Sequence, residues 1–252
     1  MAGARTYRIQ ALVLDKTKLK ETDLILALLA EDGRQIRAVA KGARKPGSGT
    51  AARCEVGCMT DLLLARGRNL DVVSQAELIE APLGAMPAYE VLSAASVVLE
   101  VARLCSFEDA EDPFVFQITR RAIEVLGGLG GAATQGSLDL VVAAFVFKLL
   151  AHIGYRPDLS SCVACGDEAV TYFSAQAGGL LCGSCAHTVA GAEEVDAATI
   201  SWLRALMAYR FDELAGMEIS PMTATFLLSL AHSWAATHLD ARLRAFEFLL
   251  GV

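Results

Sequence analysis

The chain has 252 residues, of which 54% are hydrophobic and 20% are charged, and its formal net charge is −7. This composition excludes a protein that is disordered over most of its length, and the length allows one large domain or two to three smaller ones. The charge is uneven: residues 1–70 hold 13 basic and 7 acidic side chains (net +6), and the other 182 hold 9 and 22 (net −13). The asymmetry favours a polyanion on the first segment and a different partner on the rest, although a solvated basic face without a ligand is the alternative.

The sequence shows neither a signal peptide nor a membrane-spanning segment. The opening residues, MAGARTYRIQALVLD, include arginine and glutamine and lack the continuous apolar segment of a signal peptide. The longest apolar stretch, Leu140 to Phe147, ends at Lys148, well short of the roughly 20 residues that a span needs. We therefore expect a cytoplasmic protein without a membrane partner, in a compartment that keeps thiols reduced.

The first 80 residues have the pattern of a small β-barrel. From Tyr7 to Glu80, short apolar alternations separated by turns predict five strands. Five short strands without a long helix are typical of a closed barrel such as an OB-fold, to which we assign residues 1–82. The Asp32–Gly33 pair predicts the turn between the second and third strands, and the segment from Gly67 to Asn69 predicts the turn between the fourth and fifth.

The third strand and the loop after it are basic. Alternation along the strand places Arg37 and Lys41 on the face opposite the apolar residues. The following loop, GARKPGSGT, combines glycines with two adjacent cations, and such a loop can follow phosphates of varied geometry. A mere connector is the alternative. The candidate nucleic-acid contacts in this stretch are Arg37, Lys41, Arg44, Lys45 and Arg53.

After Pro82 and Pro87 the hydrophobic period becomes helical. We assign residues 83–157 and 188–252 to the two parts of a helical domain. The segment LDLVVAAFVFKLLAHIGY is apolar nearly all round, which predicts a buried central helix. The predicted helices are 89–107, 113–129, 138–154, 197–214 and 221–238, with a glycine-rich break over 127–136.

Four cysteines form two close pairs, Cys162 with Cys165 and Cys182 with Cys185, and sixteen residues separate the pairs. Two residues between thiols allow one turn of backbone to present both sulfurs to a tetrahedral ion, so two such turns predict one zinc ion. A four-sulfur shell leaves no position for water, so the zinc is expected to be structural, within a module at residues 158–187. Redox dithiols or two disulfides are the alternatives, and His187 could substitute for a thiol.

No other motif predicts catalysis. Cys54 and Cys58 are spaced four apart with no second pair nearby, so the sequence leaves their role open. The sequence contains no GxxxxGK, GxSxG or HExxH motif. The acids of the barrel region show no metal-ligand spacing, which disfavours a nuclease; they are Asp15, Glu21, Asp23, Asp61 and Asp71. We therefore expect a protein that is not an enzyme.

Four stretches in this order resemble the bacterial RecO family of recombination mediators. The first, ALVLDKTKLKETDLILALLAEDGRQIRAVAKGARKPGS, includes Glu21 with Asp23, the Asp32–Gly33 turn, and a KGARK segment that starts at Lys41. The second, GRNLDVVSQAELIE, is similar to the last barrel strand of the family. The third and fourth, YRPDLSSCVACG and LLCGSC, are similar to the zinc module found in many of its members.

The resemblance implies an α+β multidomain protein with an N-terminal OB-fold, a helical domain and an embedded zinc module. It implies binding and annealing of single- and double-stranded DNA, action with RecR to load recombinase onto DNA covered by single-strand-binding protein, a nucleoid-associated location, and no active site. The acidic helical part suits a short apolar peptide such as the C-terminal tail of single-strand-binding protein. A zinc-stapled scaffold without DNA binding and a nucleic-acid-processing enzyme are the alternatives.

Matched residue by residue, the resemblance implies that a basic set on the barrel contacts DNA. The sequence departs from the family pattern after Pro46, where GSGTAARCEVGC has fewer cations and two extra cysteines. The implied DNA-binding residues are Arg34, Arg37, Lys41, Arg44, Lys45, Arg53, Arg66 and Arg68.

Overall fold

The computed structural model describes residues 6–251. Its first part is a closed barrel in the order β1-β2-β3-β5-β4, with all pairs antiparallel except β3 with β5. This order confirms the predicted OB-fold, and both predicted turns connect the expected strands. The strands are β1 Thr6–Leu19, β2 Asp23–Ala30, β3 Gln35–Ala40, β4 Met59–Ala65 and β5 Asp71–Glu80, with a short helix α1, Thr50–Arg53, before β4.

Strand β1 is buried on both faces in its middle, because it belongs to two cores. Ala11 and Val13 point into the barrel, whereas Leu12 and Leu14 pack in the core of the helical part. Leu29 on β2 and Met59 on β4 join the same helical core. The barrel is therefore docked on the helices through apolar side chains, mainly against the helix that follows β5.

The rest of the chain is a helical bundle, as predicted, and a small three-stranded sheet is inserted in it. The central helix α4 has fourteen buried residues and packs against α2 and α8. The elements are α2 Tyr89–Cys105, α3 Pro113–Leu129, α4 Gln135–His152, β6 Val170–Ser174, β7 Gly179–Cys182, α5 Gly183–Ala186, β8 Glu193–Glu194, α6 Ala197–Ala208, α7 Phe211–Ala215, α8 Pro221–Leu239 and α9 Arg244–Leu250.

Helix α4 also has the length and composition of a membrane span, and it is the one helix in residues 6–251 that does. Yet 78% of this stretch is buried inside the protein. Core helices of folded proteins share this property, so α4 is explained by its central position in the bundle.

Two helix predictions differ from the structure. The expected helix over 197–214 is broken after Ala208: Tyr209 is extended, and the backbone N–H of Arg210 donates to the Glu213 carboxylate (2.7 Å), which starts α7. Helix α3 ends at Leu129 as predicted, and the glycine-rich break is shorter than expected because α4 begins at Gln135 rather than at Leu138. Gly127 lies inside α3, where an added Cβ would come within 2.0 Å of the Pro82 carbonyl oxygen, so close packing explains this glycine.

Candidate nucleic-acid interface and metal centre

The outer face of β3 and the residue after it carry cations beside a narrow apolar strip that β3 shares with β2. Ala38 and Ala40 are buried in the barrel, so Arg37 and Lys41 point outward and are exposed, as predicted. The register places Ile25 opposite Val39 on this face. Since neither strand contains an aromatic residue, the face offers charge and small apolar contacts but no ring on which a base could stack.

The basic loop after β3 is tied to the turn between β1 and β2. The backbone N–H of Gly42 donates to the Asp23 carboxylate (2.7 Å), and the backbone N–H of Arg44 donates to the Thr22 carbonyl (2.9 Å). The Arg44 guanidinium donates to the Glu21 carbonyl (3.0 Å). The Gly42 N–H is the main cause that lowers the pKa of Asp23 below its ordinary value. The start of the loop is thus fixed against the turn. We call the end of β1 with the turn (residues 18–23) and the loop (residues 42–50) together the basic loop unit.

The basic loop unit contains cations that the sequence reasoning missed. Lys18 and Lys20 are exposed at the end of β1 and on the adjoining turn, next to the loop that holds Arg44 and Lys45. Lys16 precedes Lys18 on β1 and pairs with Glu55. The spacing of two between Lys16 and Lys18 is a strand signal for one face, which could have identified Lys18 from the sequence, whereas Lys20 follows the strand with φ of +56°.

Three arginines of the predicted set line a cavity of about 300 Å³ at one end of the barrel; they are Arg34, Arg37 and Arg66. The Arg66 guanidinium lies 4.9 Å from the centroid of the Tyr7 ring. The Tyr7 hydroxyl donates to Asp71, and burial together with this carboxylate raises the pKa of Tyr7 to about 12. The cavity is therefore lined by arginine side chains and also by a carboxylate, that of Asp71.

Arg34 is less available than its neighbours. Its guanidinium donates to the Asp32 carboxylate (2.7 Å from Nη2) and lies 3.7 Å from Glu111 on the loop between α2 and α3. Asp32 in turn has a pKa below its ordinary value, because hydrogen bonds from Arg34 outweigh the opposing effect of burial, which is the largest single contribution. The acidic loop thus meets the barrel at the site of this arginine.

The remaining two predicted cations lie apart from these groups. Arg68 is exposed in the turn between β4 and β5. Arg53 ends α1 and lines a separate open cavity of about 620 Å³ together with Gln75 and Glu77 of β5. The eight predicted residues therefore divide into the end cavity, the basic loop unit with Lys41, and these two outlying positions.

The four cysteines of the predicted zinc site come together. Their sulfur atoms all lie within 4.8 Å of one another, and Cys165 and Cys182 approach to 3.7 Å. The first pair sits on a turn closed by the Gly166 N–H to the Cys162 carbonyl (2.8 Å), and Gly166 has φ of +79°. The second pair spans the end of β7 and helix α5. Residue His187 is outside this cluster.

The chemistry of the thiols fits a metal. Backbone N–H groups, first that of Cys182 and then those of Ala164 and Cys165, donate to the Cys162 sulfur and lower its pKa to about 6. Because the thiolate is the form that binds zinc, this sulfur is prepared for a cation. The other sulfurs, first that of Cys182, raise the pKa of Cys185 to about 12, so without a cation the clustered thiols do not all ionise together. Cys54 lies outside the cluster, and burial in an apolar core raises its pKa to about 11.

A groove of about 750 Å³ crosses the helical part between α3, α4 and the α6–α7 break. We call it the peptide groove, after the occupant proposed for it below. Its floor is apolar, with Phe114, Ile118, Met207 and Phe211. Its cations are Arg121, Lys148, Arg156 and Arg210.

The cations of the peptide groove differ in how far they are already paired. Arg121 and Arg210 both contact the Asp212 carboxylate, at 3.3 and 2.7 Å. The Lys148 ammonium donates to the Met207 carbonyl (2.9 Å), and burial lowers the pKa of this lysine. Arg156 is exposed, and within residues 6–251 it has no ion-pair partner.

Comparison with known proteins covers nearly the whole chain. The family model described as "Recombination protein O N terminal" matches residues 1–82, and the one described as "Recombination protein O C terminal" matches residues 86–246. A protein named "DNA repair protein RecO" from Cutibacterium acnes is 34% identical over 97% of this chain and 98% of that protein. Proteins of the same name from Bifidobacterium adolescentis and Roseiflexus are 35% and 33% identical, over 96% and 97% of this chain and 98% and 85% of those proteins.

Proposed function

Because the chain belongs to the recombination protein O family, a family of DNA repair proteins, we propose that it is a non-enzymatic mediator of recombinational repair that binds and anneals DNA strands. The observation that supports this most directly is the basic loop unit, which joins cations from two parts of the barrel sequence on one exposed surface. The proposed contacts are the eight predicted residues together with Lys18 and Lys20.

The proposed mechanism is electrostatic. Lysine and arginine side chains neutralise phosphates and release counterions, so binding tolerates any sequence and weakens with salt. Two strands on one positive surface repel each other less, which speeds their pairing without bond chemistry. The absence of aromatic residues from β2 and β3 leaves the bases free to pair rather than stack on the protein.

We further propose that the protein acts with RecR to load recombinase onto DNA covered by single-strand-binding protein, and that the tail of the latter occupies the peptide groove. A C-terminal tail ends in a carboxylate, which Arg156 and its neighbours can bind, and apolar side chains before it fit Phe114 and Met207. On this proposal the protein is cytoplasmic and associated with the nucleoid.

The four cysteines would hold one structural zinc ion. The ion would cross-link the two cysteine pairs, and because all four sulfurs bind it, no position remains for a reacting molecule. Two of the barrel acids are also occupied: Asp61 pairs with Arg8 (2.6 Å), and Asp71 accepts from Tyr7. This arrangement supports a mediator over a nuclease.

Annealing of two complementary labelled strands tests the proposal. The protein should accelerate pairing, also when single-strand-binding protein covers one strand, and it should leave both strands uncut in the presence of Mg²⁺. Neutralising Lys41, Arg44 and Lys45 together should slow annealing, whereas Arg8→Gln on another face of the barrel should not. Pairing at the spontaneous rate would refute the proposal, and cleaved strands would favour the enzyme.

A further inference from the structure

A second cavity, of about 660 Å³, adjoins the peptide groove. The two share Arg156, Met207 and Ala208, so they form one continuous depression. The far wall of the second cavity is the segment from Pro157 to Ser160 together with Arg204 of α6. This segment leads directly into the first cysteine pair.

The wall segment is held by the zinc module on one side. The Asp158 N–H donates to the Gly178 carbonyl (3.0 Å), and the Leu180 N–H donates to the Asp158 carbonyl (3.0 Å). Gly179 is packed so closely here that an added Cβ would lie 2.1 Å from the Asp158 oxygen. The wall is thus continuous with the β6–β7 hairpin that presents Cys182.

On the other side the wall is held by one arginine. Both Nε and Nη2 of Arg204 donate to the Leu159 carbonyl, at 3.0 and 2.8 Å. Since Arg204 is on α6, one turn before Met207 and Ala208, it connects the wall to the helix that forms the opposite side of the depression.

We propose that the zinc module is a wall of the peptide groove, so that zinc loading sets the affinity for the partner's tail, and that Arg204 is the positioning residue that holds this wall. The proposal rests on the tail site proposed above. Neither the cysteines nor the ion needs to touch the peptide.

The packing of the module gives the physical reason. Its own small core has four buried residues, Cys162, Leu181, Cys182 and Ala186, and two of them are metal ligands. Without the ion, this core loses its cross-link, and the β6–β7 hairpin is supported only by the two-residue strand β8, which makes so small a sheet marginal by itself. Phe173 keeps the hairpin on the bundle through the main core. The expected consequence is a loosened wall on an intact bundle.

Fluorescence polarisation with a labelled synthetic peptide of the C-terminal tail of single-strand-binding protein tests the proposal. Removing zinc with a chelator should raise the Kd at least about tenfold, the change that loss of one charge-assisted hydrogen bond produces. DNA binding by the barrel should persist, which shows that the zinc-free protein remains folded.

Arg204 variants supply the test that keeps the metal in place. At full zinc content, Arg204→Ala should raise the Kd of the peptide about threefold or more, and Arg204→Lys should restore part of the affinity. Arg244→Ala on α9 is the matched control and should leave the Kd unchanged. When zinc removal and Arg204→Ala are combined, the increase in Kd should be smaller than the product of the two separate increases, because both act through one wall.

The outcomes separate the two proposals. If the peptide binds the zinc-loaded protein and its Kd is the same without zinc, the wall proposal is overturned and the tail site stands. Independent, fully multiplicative effects of zinc and Arg204 would likewise overturn the coupling. If the peptide does not bind the zinc-loaded protein at all, the tail site itself is wrong, and the wall proposal fails with it.

Discussion

Neutralising four cations of the proposed DNA surface should change the salt dependence of binding as well as its strength. The variant replaces Arg37, Lys41, Arg44 and Lys45 with glutamine. These side chains are all exposed on β3 and the loop after it, and none of them pairs with a carboxylate within residues 6–251. The positive charge of each is therefore available to a phosphate. Removal of all four also removes the Arg44 bond to the Glu21 carbonyl, but it should leave the barrel core unaltered because none of the four side chains is buried.

The size of the effect follows from counterion release. Each neutralised phosphate of single-stranded DNA contributes about 0.7 to the slope of log K against log salt, so four contribute about 2.8. Between 50 and 200 mM salt, a fourfold change, these contacts account for about a 50-fold change in affinity. The gap between the wild type and the variant should therefore narrow by about 50-fold over this range.

Fluorescence anisotropy of a labelled single strand, titrated at several salt concentrations, measures both quantities. The control replaces four other exposed arginines, Arg8, Arg210, Arg242 and Arg244, with glutamine, so that net charge falls by the same amount. The control should keep the wild-type slope. Equal losses in both variants, or an unchanged slope in the first, would show that net charge rather than this surface governs binding.

Three further outcomes follow from individual residues. Arg34→Gln should weaken DNA binding less than Arg37→Gln, because Arg34 already pairs with Asp32. The purified protein should contain about one zinc ion per chain, and Cys162→Ala should lose the ion and unfold its helical part at lower temperature. Burial raises the pKa of Asp139 to about 6. This carboxyl therefore contributes stability that is present below about pH 4 and is lost as the pH rises through 6, and Asp139→Asn should abolish this loss.

Each of these outcomes has its own control and measurement. If Arg34→Gln and Arg37→Gln raise the Kd for DNA equally in the anisotropy titration, the pairing of Arg34 with Asp32 does not limit its contact with DNA. Metal content is measured on wild type and on Cys54→Ala, which should keep the ion, and a metal-free wild type of full stability would refute the zinc site. For Asp139, urea unfolding of both proteins at pH 4 and 7 should show a relative gain of about 3 kcal/mol for the asparagine variant at the higher pH, and parallel curves would contradict it.

The parts predicted from the sequence are those that local spacing determines. Alternation along β3 placed Arg37 outward, and the two CxxC pairs specified a site whose sulfurs meet in the fold. The missed features depend on contacts between distant segments. The pairing of Arg34 with Glu111, the helix break at Tyr209 and the peptide groove all arise from packing that no short window of sequence contains.

The double burial of β1 has a consequence for limited proteolysis. The connection between barrel and helices, residues 81–88, includes the exposed Gly84, Ala85 and Met86 and is open to a protease. Separation of the two pieces after a cut there would expose Leu12, Leu14 and their partners to water. A chain nicked at this connection should therefore elute as one particle, and its two fragments should come apart only in denaturant.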